Sequence, residues 1–200
     1  MSNSHTAGLS STNFFEARVY VAQDADDLAL VKRCRGGETA AFGPLVERYQ
    51  RVLFTVAMRL LGNYDEAADA AQNALVKAFR KLETFDDRQR FFSWVYRILL
   101  NECSNARRAT RGRVPLPDDL LLDRGPADDF ECEQRRRAVQ AAILALPHDL
   151  REVIVLRHFG DLSYDDIADA VQTTVGVVKS RLYTARQKLG RALVDWRTKP

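Results

Sequence analysis

Residues Asp161–Leu189, DLSYDDIADAVQTTVGVVKSRLYTARQKL, decide the reading of this chain. Two short helical patterns meet there at a tight turn, and the second is basic. The first opens at Ser163, with Asp166 three residues on, a capping-box arrangement in which side-chain oxygens take up helix-end N–H groups. Ile167, Ala168 and Val171 form its apolar face. After the polar turn Gln172-Thr173-Thr174, Val175, Val178, Leu182, Ala185 and Leu189 recur at helical spacing. Lys179, Arg181, Arg186 and Lys188 fall largely off that stripe. A helix built this way packs on one side and meets phosphates and base edges on the other, as the second helix of a helix-turn-helix does.

From Asp26 onward nearly everything else also reads as helix, so the expected fold class is all-α. Leu28, Leu30 and Val31 precede a Gly36-Gly37 stop; Phe42 to Leu61 then repeats apolar residues in steps of three and four. Pro44 cannot donate a helical N–H, so that helix should become regular around Gly43. Gly62 stands where a left-handed residue is wanted, and Asn63 with Glu66 offers the next start signal. A third helix, about Tyr64 to Leu82, carries Ala67, Ala71, Leu75, Phe79 and Leu82 inward. A fourth, Phe91 to about Thr110, has Phe92, Val95, Leu99 and Cys103 along one stripe. Prolines 115, 117 and 126 lie in acidic surroundings and mark a linker. The expected domains are a tail over 1–25, a helical domain over 26–111, an acidic linker over 112–130 and the helix-turn-helix domain over 131–200.

With 200 residues, an apolar fraction of 46% and a net charge of +3, the chain can bury cores, and its charge says little until it is mapped. Arg107, Arg108, Arg111 and Arg113 form a basic block, and Asp118, Asp119, Asp123, Asp128, Asp129, Glu131 and Glu133 follow. Cys34, Cys103 and Cys132 are isolated and three in number, which argues for a reducing compartment and against a zinc site. No phosphate loop, metal spacing or nucleophile–base pairing stands out, so neither a cofactor nor an enzymatic role is expected. No apolar run suffices for a membrane span, and a cytoplasmic location is expected. In FFSWVYRILLNECSNARR, Phe91–Arg108, aromatic and basic residues alternate around a helix; rings that reach the surface would stack on bases while arginines hold the backbone. At least half of these aromatics should be core.

Four segments together, GNYDEAADAAQNALVKAF, RFFSWVYRILLNE, LPHDLREVIVLRHFGDLSYDDIADAV and VGVVKSRLYTARQKL, resemble in order and spacing a bacterial RNA polymerase sigma factor of the extracytoplasmic-function (ECF) group. The resemblance spans about Asp26 to Trp196. It implies a chain without catalysis of its own that binds core RNA polymerase, through its beta-prime and beta subunits, and directs promoter recognition, DNA melting and initiation. Glu66, Asp69, Gln72 and Asn73 match the surface that docks on the beta-prime coiled coil. Ala68 and Asn73 stand where the family pattern has acids, which should weaken ion pairing. Glu83 to Arg90 resembles the loop that captures a flipped base of the −10 element; Asp86, Asp87, Arg88 and Gln89 would supply edge contacts, with Phe91, Trp94, Arg97, Asn101 and Arg108 on the helix beside it. Val175, Gly176, Val177, Lys179, Ser180, Arg181 and Tyr183 match the −35 recognition surface, with Arg181 and Lys179 foremost. Gln172 replaces the usual turn glycine, so either it is left-handed or the turn differs, and Val177 replaces a common threonine. The acidic linker resembles a segment that threads toward the polymerase active-site cleft, though a solvated tether explains its composition as well. An anti-sigma factor or similar regulator is the further implied partner. The alternative is a helix-turn-helix regulator whose N-terminal helices sense a ligand or partner; it gives no reason for the aromatic-basic Phe91–Arg108 segment.

Overall fold

The computed structural model describes residues 26–109 and 130–198, with side chains over 26–109 and 134–194. The expected tail over 1–25 and the linker at 112–129 lie outside the described residues. Those described form eight α-helices and two short 3-10 turns, without strands: α1 (26–35), α2 (Gly43–Leu61), α3 (Tyr64–Arg80), α4 (Phe91–Ala109), α5 (Phe130–Leu144), α6 (His148–His158), α7 (Tyr164–Ala170) and α8 (Val175–Thr198).

Local chemistry sets the boundaries. Pro44 sits in the first turn of α2, where its missing N–H costs nothing. Gly62 closes that helix at φ 75°, a left-handed conformation in which a side chain would be strained, and its N–H returns to the Met58 carbonyl. The Asn63 side chain then accepts from the Glu66 N–H and starts α3. At α7 the capping box is complete: Ser163 accepts from the Asp166 N–H, and the Asp166 carboxylate accepts from the Ser163 N–H. Gln172 is left-handed at φ 53°, settling which of the two turn geometries is used. Asp161, at φ 54°, shares that conformation without having signalled it in the sequence.

In the N-terminal region α3 packs against both α2 and α4, and small residues permit the approach: Ala67, Ala74 and Ala78 are fully buried. Asp27 of α1 is also fully buried, where it accepts from the Tyr49 hydroxyl and the Arg48 guanidinium. Burial pushes its carboxyl up from the ordinary value against the pull of those two partners. In the C-terminal region α8 lies on α5, α6 and α7, and Val178, Leu182 and Ala185 are buried in the same core as Val155, Leu156 and Ile167. Each Val, Leu or Ile among them contributes roughly 1.5–3 kcal/mol by leaving water.

The two regions touch directly through α4 with α7 and through α2 with α5 and α6, and their buried residues form one continuous cluster. Much of the seam is polar. Gln140 of α5 donates to the Met58 and Arg59 carbonyls at the end of α2, and Arg151 of α6 donates to the Leu60 carbonyl. The Arg59 and Leu60 carbonyls in the last turn of α2 are thus capped by the other region, and the Met58 carbonyl, already bonded to the Gly62 N–H, gains a second donor.

Candidate polymerase and nucleic-acid interface

Four surfaces place the expected site residues. On α3, Asp69, Gln72 and Asn73 are exposed and Glu66 is half-buried. Around them the helix shows apolar side chains: Tyr64 is 44% exposed, Val76 40% and Phe79 40%. Phe79 was expected inward. Instead it lines, with Phe42, Val46, Phe54, Ala68 and Leu75, an apolar groove of about 580 Å³ between α2 and α3. The inward stripe of α3 is filled by alanines, so the bulkier ring is displaced to its margin, edge-on to Phe42 at 5.1 Å between centroids.

The loop before α4 is organised by its own acids. Asp86 accepts from the Arg88 N–H at 3.0 Å and holds the Arg88 guanidinium at 2.8 Å. That pairing keeps the Asp86 carboxyl below its ordinary value. Asp87 holds Arg35 at 2.6 Å, and the same guanidinium donates to the Leu82 and Phe85 carbonyls. Arg35, which no sequence pattern singled out, therefore fixes the loop from 47 to 52 residues away. Gln89 is exposed.

On α4 the aromatic reading needs correction. Phe91 is 3% exposed and Trp94 9%, both enclosed with Phe42, Tyr49 and Phe85 in ring contacts of 5.2–6.5 Å. Rings of this size gain most by leaving water, and the cluster gives Phe91 edge-to-face neighbours in Phe42 and Phe85 and Trp94 tilted ones in Phe85 and Phe91. The surface they leave is polar: Asn101 and Arg108 are exposed and Arg97 half-buried. Lys77 ties α3 to α4 through Glu102 at 2.7 Å. Below this surface Cys103 is buried, and burial pushes its thiol up to about 12.

On α8 the N-terminal half stands out to solvent. Gly176, Val177, Lys179, Ser180 and Tyr183 are exposed, while Val175 and Arg181 are half-buried. The Thr174 hydroxyl accepts from the Val177 N–H at 3.4 Å, capping the helix. Arg181 lies 3.4 Å from Asp149 of α6. Val178 and Leu182, kept apart from the recognition set, are fully enclosed. No group of His, Cys, Asp and Glu among the described residues could hold a metal ion.

A helix-turn-helix presenting an exposed basic helix, joined to a bundle with a mixed acidic and apolar face, defines a two-region helical protein of the kind that reads nucleic acid. The family signature of sigma-70 region 2 matches residues 45–113, and that of sigma-70 region 4 matches 136–189. The RNA polymerase sigma-H factor of Pseudomonas aeruginosa is 37% identical over 183 residues, covering 84% of this chain and 93% of that relative. The ECF RNA polymerase sigma-E factor of Escherichia coli K12 is 33% identical over 185 residues, covering 84% and 95%. Among solved structures, CnrH in complex with the cytosolic domain of CnrY is similar at a TM-score of 0.68 and 27% identity, covering 85% of this chain and 97% of that one. The sigma factor RpoE bound to the anti-sigma factor NepR from Bartonella quintana gives 0.63 and 26%, covering 76% and 96%. The chain belongs to the sigma-70 family, in its extracytoplasmic-function group. The region 2 match also takes up the N-terminal helices that the ligand-sensing alternative would have needed.

Proposed function

We propose that this chain docks on core RNA polymerase through the exposed face of α3, with Glu66, Asp69, Gln72 and Asn73 meeting basic residues of the beta-prime coiled coil. Val76 and Phe79 supply the apolar part of that contact. Arg97, Asn101 and Arg108 of α4, with Arg88 and Gln89 of the preceding loop, hold the opened −10 strand; Phe91 and Trp94 brace the helix from within. The N-terminal half of α8 enters the −35 major groove, where Lys179 and Ser180 meet phosphates and Arg181 reads base edges. The chain acts by binding and positioning rather than by turnover, and it works in the cytoplasm, where its template lies. No described helix is long and apolar enough to cross a membrane. Control by an anti-sigma factor is part of this reading, supported by relatives whose solved forms carry one.

The observation that carries the proposal is the split face of α8: Val178, Leu182 and Ala185 buried, and Val177, Lys179, Ser180 and Tyr183 exposed on the same two turns. Run-off transcription with core polymerase tests it. Added chain should produce a discrete promoter-dependent transcript, lost on replacing Lys179 and Arg181 with Ala. Absence of both core binding and any promoter-dependent product refutes it.

A further inference from the structure

Three acceptors of the loop before α4 converge on one residue of α1. Arg35 ends that helix, where the chain leaves it through Gly36 and Gly37. Its guanidinium donates to the Leu82 carbonyl from Nε at 3.0 Å and from Nη2 at 2.8 Å, to the Phe85 carbonyl from Nη2, and to Asp87 from Nη1 at 2.6 Å. It also stands 5.8 Å from the centroid of the Phe85 ring, which packs on Trp94 at 5.2 Å. Arg33, two residues earlier, pairs instead with Glu38 at 2.9 Å. Pinned at Leu82, Phe85 and Asp87, the loop narrows to a turn over 86–89 that closes on itself. The Gln89 N–H donates to the Asp86 carbonyl at 2.9 Å, and Asp86 grips the Arg88 guanidinium at 2.8 Å. Both carboxylates are thus engaged by arginines, while the Arg88 side chain, 89% exposed, and the exposed Gln89 project into water.

We infer that Arg35 is the positioning residue for capture of the −10 base, and that Asp86 and Asp87 shape the loop instead of reading the base. Hydrogen bonds to a base edge weaken steeply with misalignment, so discrimination depends on where the reading side chain is held. The bonds from Arg35 to two carbonyls fix the path of the backbone itself, and the ordering that a slack loop would undergo on binding is done in advance. An unpaired carboxylate at Asp87 would repel the phosphates of a strand, and its pairing with Arg35 offsets that repulsion. A lysine could not replace this residue, because an ammonium lacks the planar fork that spans several acceptors.

The inference rests on the reading of the loop as the −10 contact, and one experiment separates the two. Holoenzyme assembled from core RNA polymerase and the full chain is selected on fork-junction DNA whose single-stranded −10 tract is randomised, and the bound fraction is sequenced. Wild type should enrich one base at the captured position. Arg35→Ala and Arg35→Lys should each lower that preference about tenfold, the order of one base-edge contact, and leave the preferences at other positions in place. A preference is a ratio between bases, so a variant that is merely less stable binds less DNA and keeps the wild-type ratio. Asp87→Ala should lower the preference in the wild-type background and have no further effect alongside Arg35→Ala, because it acts through that residue. Ratios within about twofold of wild type in both Arg35 variants, or an equal fall at every position, overturn the positioning role. An undiminished effect of Asp87→Ala in the Arg35→Ala background makes Asp87 a direct contact and overturns its assigned part. If wild type itself enriches no base across the tract, the −10 reading fails and the inference falls with it; if wild type enriches a base and the variants do so equally, the inference alone fails.

Discussion

Glu152→Gln should abolish a pH dependence built into the junction of α4, α6 and α8. Glu152 lies on α6 with His148 at 3.3 Å, and its side chain is only 16% exposed. Burial lifts its carboxyl from 4.5 to about 7, against the pull of Arg107 on α4, Arg181 on α8 and Arg151 on its own helix; Asp149 adds to the lift. Between those two values the folded chain retains a proton that the unfolded chain has released. Stability from this group is therefore complete below pH 4.5, declines through the interval and is gone above pH 7, a loss with a ceiling of about 3 kcal/mol. His148 slopes the other way, since burial first, and Arg107 and Arg151 after it, hold its imidazole below 6.5. The contribution from Asp27 is common to both proteins, so subtraction leaves Glu152 together with its coupling to His148, 3.3 Å away. Urea titrations at half-unit steps from pH 4.5 to 8, at constant ionic strength, give the two stability curves. The variant should gain on wild type steadily up to pH 7 and then run parallel to it. A difference flat to within about 0.5 kcal/mol, near the error of such extrapolations, would refute the reasoning.

Two further outcomes follow from the α2–α3 corner. Replacing Ala68 and Asn73 together with Glu should tighten binding to core polymerase by about tenfold at low salt, with the advantage shrinking as salt rises; anisotropy titrations that match wild type at every ionic strength would contradict it. Gly62→Ala should cost about 1–2 kcal/mol, because it forces a side chain into the left-handed region and sets its Cβ 2.6 Å from a Leu144 methyl. Chemical denaturation measures that cost, and an unchanged midpoint would count against the packing at this joint.

The chain's helices were legible because their signals are local. The 3.6-residue period of Val175 to Leu189, the Gly62-Asn63 stop and start, and the Ser163–Asp166 box all lie within one or two turns of the residues they organise. The surfaces were half legible. Periodicity told which face of α8 is apolar, and burial agrees at Val178, Leu182 and Ala185. It could not tell that Phe79 would sit at the margin of its stripe, nor that Phe91 and Trp94 would turn into a ring cluster assembled from α2 and the 82–90 loop. Arg35 and Asp166 were missed for the same reason: Arg35 finds its partners 47 to 52 residues away, and Asp166 finds Arg90 and Ser93 76 and 73 residues away. The capping box alone accounts for an aspartate at 166, so nothing in the local pattern announced its second duty.

The carbonyls at the end of α2, held by Gln140 and Arg151, bear on how the two regions can part. A seam made by side chains donating to backbone oxygens separates without a large penalty, since water takes up each carbonyl as the side chain leaves. A wholly oily seam would bare an adhesive patch on every parting and invite self-association in a crowded cell. The chain is built at that end more like a resealable closure than a weld.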